Sequence, residues 1–347
     1  MMQGKPFVSP VLALGLLAIA SFGICVPTAD ANAPAAAATQ CDRSCLDHIM
    51  DEYIAALVKH DPAGLPVVAN LKSTENTRPT PLGQGVSKTI KFMKFYGETI
   101  ADPSTGQVTY WGAIQEDFVS LLMVRLKVKN GKITEVETIV PHGSDPKAVR
   151  DGFEVMPDLQ VLAVIKPFLE SEIPVGQRES RAQLIAAANA YFDGIEHGPG
   201  HIPFAPGCNR IENGQLTTNN PTNSEGLPPL GCQGQFQAML FTYIPHVRPR
   251  RFPVVDETRG LVVAQVVFDI PGSKTWIRDG KEVPAPPAVA NPRNNILNEL
   301  FKVEHGQIQL IQAFMLPNEP YGTKTGWSDS GQEPRAAAAT PNHQPRT

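Results

Sequence analysis

The 347-residue chain is short of net charge, of aromatics and of consensus catalytic loops, and each shortage excludes a class of function. Lys and Arg total 30 against 34 Asp and Glu, giving a net charge of −4. No cluster of basic residues interleaved with aromatics occurs, so a nucleic acid would find no electrostatic footprint and none is expected as a partner. Gly-rich phosphate loops, Gly-x-Ser-x-Gly and His-Glu-x-x-His are missing, which removes local support for nucleotide, hydrolase-elbow and zincin chemistry. No Asn-X-Ser/Thr glycan acceptor exists, because Asn220-Pro221-Thr222 carries proline in the middle. The longest apolar run, Val11 to Val26, stops at 16 residues, where a membrane span wants about 20. Proline is plentiful instead: 33 residues, roughly twice the usual share, implying long irregular connections rather than a helical bundle.

Lys5, the apolar run and Ala29-Asp30-Ala31 read as the n, h and c regions of a signal peptide at 1–31, with cleavage expected after Ala31. Cys25 follows Phe22-Gly23-Ile24, which lacks the Leu-small-small pattern of a lipidated cysteine. The expectation is a secreted or periplasmic protein with no stable membrane anchor after cleavage. The mature chain keeps Cys41, Cys45, Cys208 and Cys232, an even number for an oxidising compartment, with three connectivities open. Spacing favours disulfides Cys41 to Cys45 and Cys208 to Cys232; the alternative, a four-cysteine zinc site, lacks a C-x₂-C knuckle.

Leu46, Ile49, Met50, Tyr53, Ile54, Leu57 and Val58 form an amphipathic helical stripe ended by Pro62. A second helix repeats the design: Ser180 and Gln183 make a capping box, and Leu184, Ile185, Ala188, Tyr191, Phe192 and Ile195 form the face until Gly198-Pro199-Gly200. The sequences then run in step, Leu65-Pro66 with Ile202-Pro203, Glu75-Asn76 with Glu212-Asn213, and Val128-Lys129-Asn130-Gly131-Lys132-Ile133 with Val303-Glu304-His305-Gly306-Gln307-Ile308. Strands are expected at 108–114, 120–128, 133–140, 236–243, 261–270, 296–303 and 308–316. The charged turn 256–260 reads as a solvated hairpin, and 158–169 as a helix in the connection. Helix first, then an antiparallel meander, is an α+β order. The division is 41–142 and 180–327 as two domains, 143–179 between them, a long proline-rich loop at 271–293, and a disordered tail at 328–347.

A helix wrapped by a curved antiparallel sheet resembles the SnoaL-like, or nuclear transport factor two-like, cone fold, here in two tandem copies. Tyr53-Ile54-Ala55-Ala56-Leu57 followed by Ser73-Thr74-Glu75-Asn76 and Gly83-Gln84-Gly85 is similar to the opening of ketosteroid isomerase. The whole is similar to a group of uncharacterised secreted two-domain proteins, through Cys-Asp-Arg-Ser-Cys-Leu at 41–46, Arg250-Arg251-Phe252-Pro253-Val254-Val255-Asp256-Glu257 and Tyr321-Gly322-x₃-Gly326-Trp327. In the isomerase pattern a first-helix Tyr and a protonated acid hold an oxyanion while a carboxylate moves the proton. The resemblance puts Tyr53 and Tyr191 in the first role, but Asn76 and Asn213 at the base and Met123 and Asn298 at the acid. Glu75 and Glu212, one residue away on a strand, are expected to point to the other face.

The second half is the richer in polar groups: Tyr191, Asp193, His197, His201, Arg210, Asn213, Tyr243, Asp269 and Asn298. On the strand 261–270, the face Leu261, Val263, Gln265, Val267 and Asp269 is read as lining the cone. Tyr191, His201 and Asp269 are the candidate catalytic residues; Asn213, Tyr243, Asn298 and Tyr53 are the candidate ligand-binding residues. His197 and His201 have metal-ligand spacing, but Gly-Pro-Gly between them precludes one helical face, and neither metal nor cofactor is expected. The expected function is an exported protein that binds a small hydrophobic molecule and performs cofactor-free acid-base chemistry as a lyase, isomerase or hydrolase. The alternative is a non-catalytic binding or scaffold protein with degenerate cones, and a homodimer is left open.

Overall fold

The Asp42 carboxylate accepts from the Cys45 backbone N–H at 2.9 Å and so opens helix α1 (Arg43–Val58), satisfying a donor that has no partner within the helix. In the computed structural model, which describes residues 41–144, 155–221, 229–278 and 280–327, the buried face of α1 is Leu46, Ile49, Met50, Tyr53, Ile54 and Leu57. That is the stripe read from the sequence. The expected signal peptide at 1–31 and the tail at 328–347 lie outside the described residues, and among those residues no helix is long and apolar enough to cross a membrane.

After α1 come β1 (Val67–Glu75), β2 (Arg78–Pro79), the short α2 (Val86–Thr89), β3 (Phe92–Asp102), β4 (Gln107–Gln115), β5 (Val119–Lys129) and β6 (Lys132–Ile139). They form one sheet in the order β2-β1-β6-β5-β4-β3. The connection holds α3 (Leu159–Glu170), capped by the Asp158 carboxylate. The second half begins with α4 (Arg181–His197), whose Ser180–Gln183 capping box and Gly198 stop are as read. It continues with β7 (Phe204–Glu212), β8 (Gln215–Leu216), α5 (Cys232–Gln237), β9 (His246–Val247), β10 (Arg251–Asp256) and β11 (Leu261–Ile270). Then follow β12 (Thr275–Arg278), β13 (Lys281–Pro284), α6 (Pro287–Ala290), β14 (Arg293–Glu304) and β15 (Gln307–Glu319). The second sheet runs β10-β11-β14-β15-β7-β8, with β9 also on β11, so its strand order is that of the first. The fold class is α+β. Each sheet is antiparallel apart from one parallel pair, β1 with β6 and β7 with β15, where the chain leaving the helix enters beside the last strand of its own half.

Backbone detail repeats with the topology. Ile133 N–H donates to Pro66 O and Ile308 N–H to Pro203 O, both at 2.7 Å. Asn130-Gly131 and His305-Gly306 turn with the same positive φ values, 53° and 69°, which asparagine, histidine and glycine reach at lower cost than β-branched residues. Three apolar layers result. One lies between α1 and the first sheet, one between α4 and the second, and the third lies between the sheets, where Trp111 and Phe314 meet at 4.9 Å between ring centroids. Both faces of each sheet are therefore covered, an arrangement that buries β11 along its whole length.

Several expectations change. Residues 236–243 are not a strand: α5 and the turns after it occupy them, and the buried residues Phe236, Leu240 and Ile244 stand four apart, a helical interval. β3 escaped the sequence reading because register shifts between Met93 and Phe95, and between Phe95 and Glu98, break its alternation. The loop 271–293 is not irregular throughout: it carries the β12–β13 hairpin and α6, and its prolines end a strand and start a helical turn. Asp256 is not a solvated turn residue. It is buried and holds Arg43 of α1 through two bonds of 2.8 and 2.9 Å and Arg259 through one of 2.6 Å. Both disulfides form, Cys41 with Cys45 and Cys208 with Cys232, at Cα separations of 5.3 and 5.6 Å.

Candidate functional site

Side chains alternate along β14, and the two cores show which face is which. Leu297, Phe301 and Val303 pack against α4, whereas Ile296 and Leu300 belong to the layer between the sheets. Glu299 thus points into the lumen under α4 and Asn298 points away from it, its Oδ1 accepting from Gln265 Nε2 on the same far face at 2.9 Å. The lumen also receives Tyr191 from α4 and Arg210 and Glu212 from β7, the latter two set opposite Ile311 and Ala313 of β15. Arg210 Nε stands 3.1 Å from a Glu212 oxygen, and the guanidinium lies over the Phe241 ring at 4.6 Å.

Glu299 is wholly buried within reach of the Tyr191 hydroxyl, and neither of its oxygens has a hydrogen bond of good geometry. Burial pushes its carboxyl up to about 8 against the pull of Arg210, with the negative Glu212 adding to the rise and Tyr191 opposing it. At neutral pH the group is chiefly the neutral acid and can donate. Burial also raises the Tyr191 hydroxyl well above its ordinary value, Glu299 adds to the rise, and Arg210 opposes it. Arg210 remains charged: burial opposes the charge most strongly, but the combined attraction of Glu212, Tyr191, Glu299 and Tyr243 outweighs it. Two neutral O–H donors and a compensated guanidinium accordingly share one apolar chamber. The chamber is tightly filled: Phe192, Phe236 and Phe301 approach Tyr191 at 5.3–5.4 Å between ring centroids and Phe204 at 6.3 Å. The Glu212 side chain, 28% exposed, marks where the cluster reaches the surface.

Of the residues picked from the sequence, Tyr191 is in the lumen and Tyr243 is half-buried at its edge, near Arg210 and edge-on to Trp276 at 6.2 Å. Asp269 and Asn298 are not in the lumen, because the lining face of β11 is Val262, Ala264, Val266 and Phe268 rather than the set containing Asp269. Asp269 is buried and grips Arg248 through bonds of 2.5 and 2.6 Å, with Asn294 donating at 2.6 Å. His201 is exposed in the turn after α4, whereas Tyr191 and Glu299 are buried. Asn213 is buried and bonds the backbone of Met315, so it holds a turn and not a ligand. Among the described residues no group of three or more His, Cys, Asp and Glu is arranged for a metal.

The expectation that Glu75 and Glu212 turn away from the lumens is also overturned. Each ends its strand, and the next residue, Asn76 or Asn213, takes a left-handed conformation, so the alternation on which the expectation rested stops there. Glu75 lines a small, open cleft with Tyr53 in the first half. Burial raises the Tyr53 hydroxyl to about 12 despite a bond with Thr138. Counted back from the matching turns, the first-half counterpart of Glu299 is Val124, so only the second lumen carries an acid there. Glu299 was missed because the family pattern pointed to its neighbour; its signal is a lone acid within Ile296-Leu297-Asn298-Glu299-Leu300-Phe301.

Residues 177–315, from just before α4 into β15, match the family model of a domain of unknown function, DUF8021. That span holds Tyr191, Arg210, Glu212 and Glu299. No curated protein matches the chain. Parts of it are similar to three solved structures. A de novo designed protein with a curved β-sheet matches at 15% identity and TM-score 0.25, covering 30% of this chain and 89% of its own. AusH from Aspergillus nidulans matches at 13% and 0.26, covering 40% and 86%. A protein from Jannaschia sp. CCS1 assigned as a SnoaL-like polyketide cyclase matches at 19% and 0.24, covering 40% and 91%. At these scores the similarities carry no argument about activity.

Proposed function

We propose that the chain is an exported protein that binds a small, largely apolar organic molecule in its second lumen, taking a carbonyl or hydroxyl oxygen of the ligand between Tyr191 and protonated Glu299. One observation carries this reading: a fully buried acid, short of well-formed hydrogen bonds, sits beside a tyrosine and an arginine in an aromatic chamber. Such a group costs several kcal/mol as a charge and about 1–3 kcal/mol as an unsatisfied neutral donor, so a core serving stability alone would place Leu or Gln there. Two O–H donors converging on one oxygen would stabilise negative charge developing on it, and Glu212 is the carboxylate at the surface end able to take up a proton. The substrate class that fits is a small apolar ketone or enone, handled without a cofactor. Export is supported by the two disulfides.

The test is a titration of the protein with a panel of cyclic and aromatic ketones, followed by fluorescence and by exchange of the α-proton with deuterium. Tyr191→Phe and Glu299→Gln should each weaken binding or slow exchange at least about tenfold, with exposed Asp117→Asn as the folded control. Equal behaviour of all variants sinks the reading. The rings packed around Tyr191 favour a second reading, a non-catalytic scaffold with a filled lumen. It predicts no ketone binding by any variant.

A further inference from the structure

The first-half cleft differs in chemistry from the second lumen. Its walls come from α1, β1, β6 and the segment leading into α2, with Tyr53, Glu75, Thr80 and Ser73 among the polar groups and Leu57 and Leu82 among the apolar ones. Neither lysine nor arginine lines it. Glu75 Oε2 accepts from Val86 N–H at 2.8 Å, and no hydrogen bond ties its other oxygen among the described residues. The Thr80 hydroxyl spends its proton on Arg78 O at 3.0 Å, so what it can still offer is lone pairs. Nearby, His142 bonds Glu116 at 2.7 Å, and Glu116 also accepts from Thr89 and Ser120. Two carboxylates therefore share one imidazole, and at least one negative charge, that of Glu75, has no partner of its own. Burial raises the Glu75 carboxyl, as befits a carboxylate without a counter-ion. The backbone is shaped around this group: Gly85 has φ +61°, and a Cβ there would come within 2.4 Å of the carboxylate.

The geometry points to a second, independent ligand site in this cleft, one for a small organic ammonium whose N–H groups meet Glu75 and Thr80 and whose short alkyl chain lies against Leu57 and Leu82. An ammonium has three donors and no acceptor, the complement of a lining that is rich in acceptors and holds a net negative charge. The empty space of about 270 Å³ runs out into open solvent, and the enclosed floor beside Glu75 has room for little more than the ammonium head, so the alkyl chain must be short and lie along the mouth.

The experiment is an NMR titration of the full chain with n-propylammonium, 1-propanol and propionate, isosteres that differ in charge. Shifts should concentrate at amides 80–87, and the ammonium should bind at least about tenfold more tightly than the alcohol, with propionate not binding. Glu75→Gln should abolish the preference for the ammonium, and Thr80→Val should weaken ammonium binding several-fold. Thr80→Val leaves the bond from Val86 to Glu75 in place and decides the matter if Glu75→Gln unfolds. Tyr191→Phe and Glu299→Gln should leave ammonium binding unchanged, so failure in the second lumen is distinguishable from failure here. Equal affinity for ammonium and alcohol, or shifts confined to other regions, overturns the proposal.

Discussion

Asn76 and Asn213 hold equivalent turns by the same two bonds. Asn76, at φ 48°, donates to Val140 O at 3.1 Å and accepts from Val140 N–H at 2.8 Å; Asn213, at φ 44°, donates to Met315 O at 3.0 Å and accepts from Met315 N–H at 2.7 Å. An amide is the side chain that can face a peptide group with both a donor and an acceptor, and Asn tolerates the left-handed region. Asn213→Ala should cost about 3 kcal/mol, because the peptide groups of Met315 are buried unpaired and a Cβ without compensation is held at positive φ. Asn213→Gly keeps the backbone and should recover about 1 kcal/mol of that loss. Urea unfolding checks the order wild type, Gly, Ala; an Ala variant as stable as wild type would remove the clamp from the account.

Glu299 makes stability depend on pH in a stated direction. Its folded value of about 8 lies above the ordinary 4.5, so the native state keeps a proton that the unfolded chain releases between those values. Its contribution is complete below about 4.5 and is lost as pH rises towards 8. At ~1.4 kcal/mol per pH unit the loss amounts to a few kcal/mol. Glu299→Gln should therefore flatten this part of the pH profile and be more stable than wild type at pH 8, while losing function in the second lumen. Chemical denaturation at pH 5, 6.5 and 8 measures it; a Gln variant that follows the wild-type slope would assign the dependence to other groups.

The two disulfides should differ in worth. Cys208–Cys232 closes a span of 24 residues and Cys41–Cys45 a span of 4. Loop-closure entropy assigns about 3–4 kcal/mol to the former and less to the latter. The double variant Cys208→Ser with Cys232→Ser should lower the Tm by more than Cys41→Ser with Cys45→Ser. The reverse order, seen by calorimetry, would show that native packing and not chain entropy sets their value.

These sites mark where sequence reading worked and where it stopped. Both main helices, their caps and the Asn130-Gly131 and His305-Gly306 turns were legible because local chemistry decides them. The lining of the second lumen was not. All ten residues of β11 are buried, so alternation separates two apolar faces without saying which meets α4 and which meets the other sheet. Asn298 stood in for Glu299 for another reason: the family pattern, carried over by position, fell one residue short of the acid. Glu75 and Glu212 were misdirected for a different reason: strand alternation was carried through a residue of positive φ, where it no longer holds.

Trp327 should fasten the C-terminal segment across the first sheet. Its Nε1–H donates to Thr74 Oγ1 at 2.9 Å, and Lys72 and Arg125 stand 3.8 and 4.6 Å from its ring centroid. Lys72 also donates to Gly326 O at 2.6 Å. Trp327→Ala loses a buried aromatic and two cation contacts, and about 3 kcal/mol of stability is the expected cost. Trp327→Phe keeps the ring face but not the donor and should lose about 1 kcal/mol. Thermal unfolding of both variants separates the contributions; equal losses would assign the whole effect to the hydrogen bond.

Asp269 and Arg248 provide the sharpest separation of structure from function. The carboxylate is buried at the end of β11, and Asn294 completes its bonds, but the Arg248 side chain is 46% exposed. Removing one member of a fully buried ion pair costs about 3–5 kcal/mol because the survivor is stranded without water. Here the survivor of Asp269→Asn is a guanidinium already half in solvent, so the expected loss is smaller, about 1–3 kcal/mol. Asp269 lies on the face of β11 opposite the one that packs against α4, the face that Tyr191 and Glu299 share. Asp269→Asn should thus lower the midpoint of urea unfolding yet leave ketone binding and α-proton exchange unchanged at temperatures where the protein is folded. If binding or exchange fell about tenfold while the unfolding midpoint stayed in place, Asp269 would belong to the reacting groups, and the assignment of the lumen to the Glu299 face would be wrong.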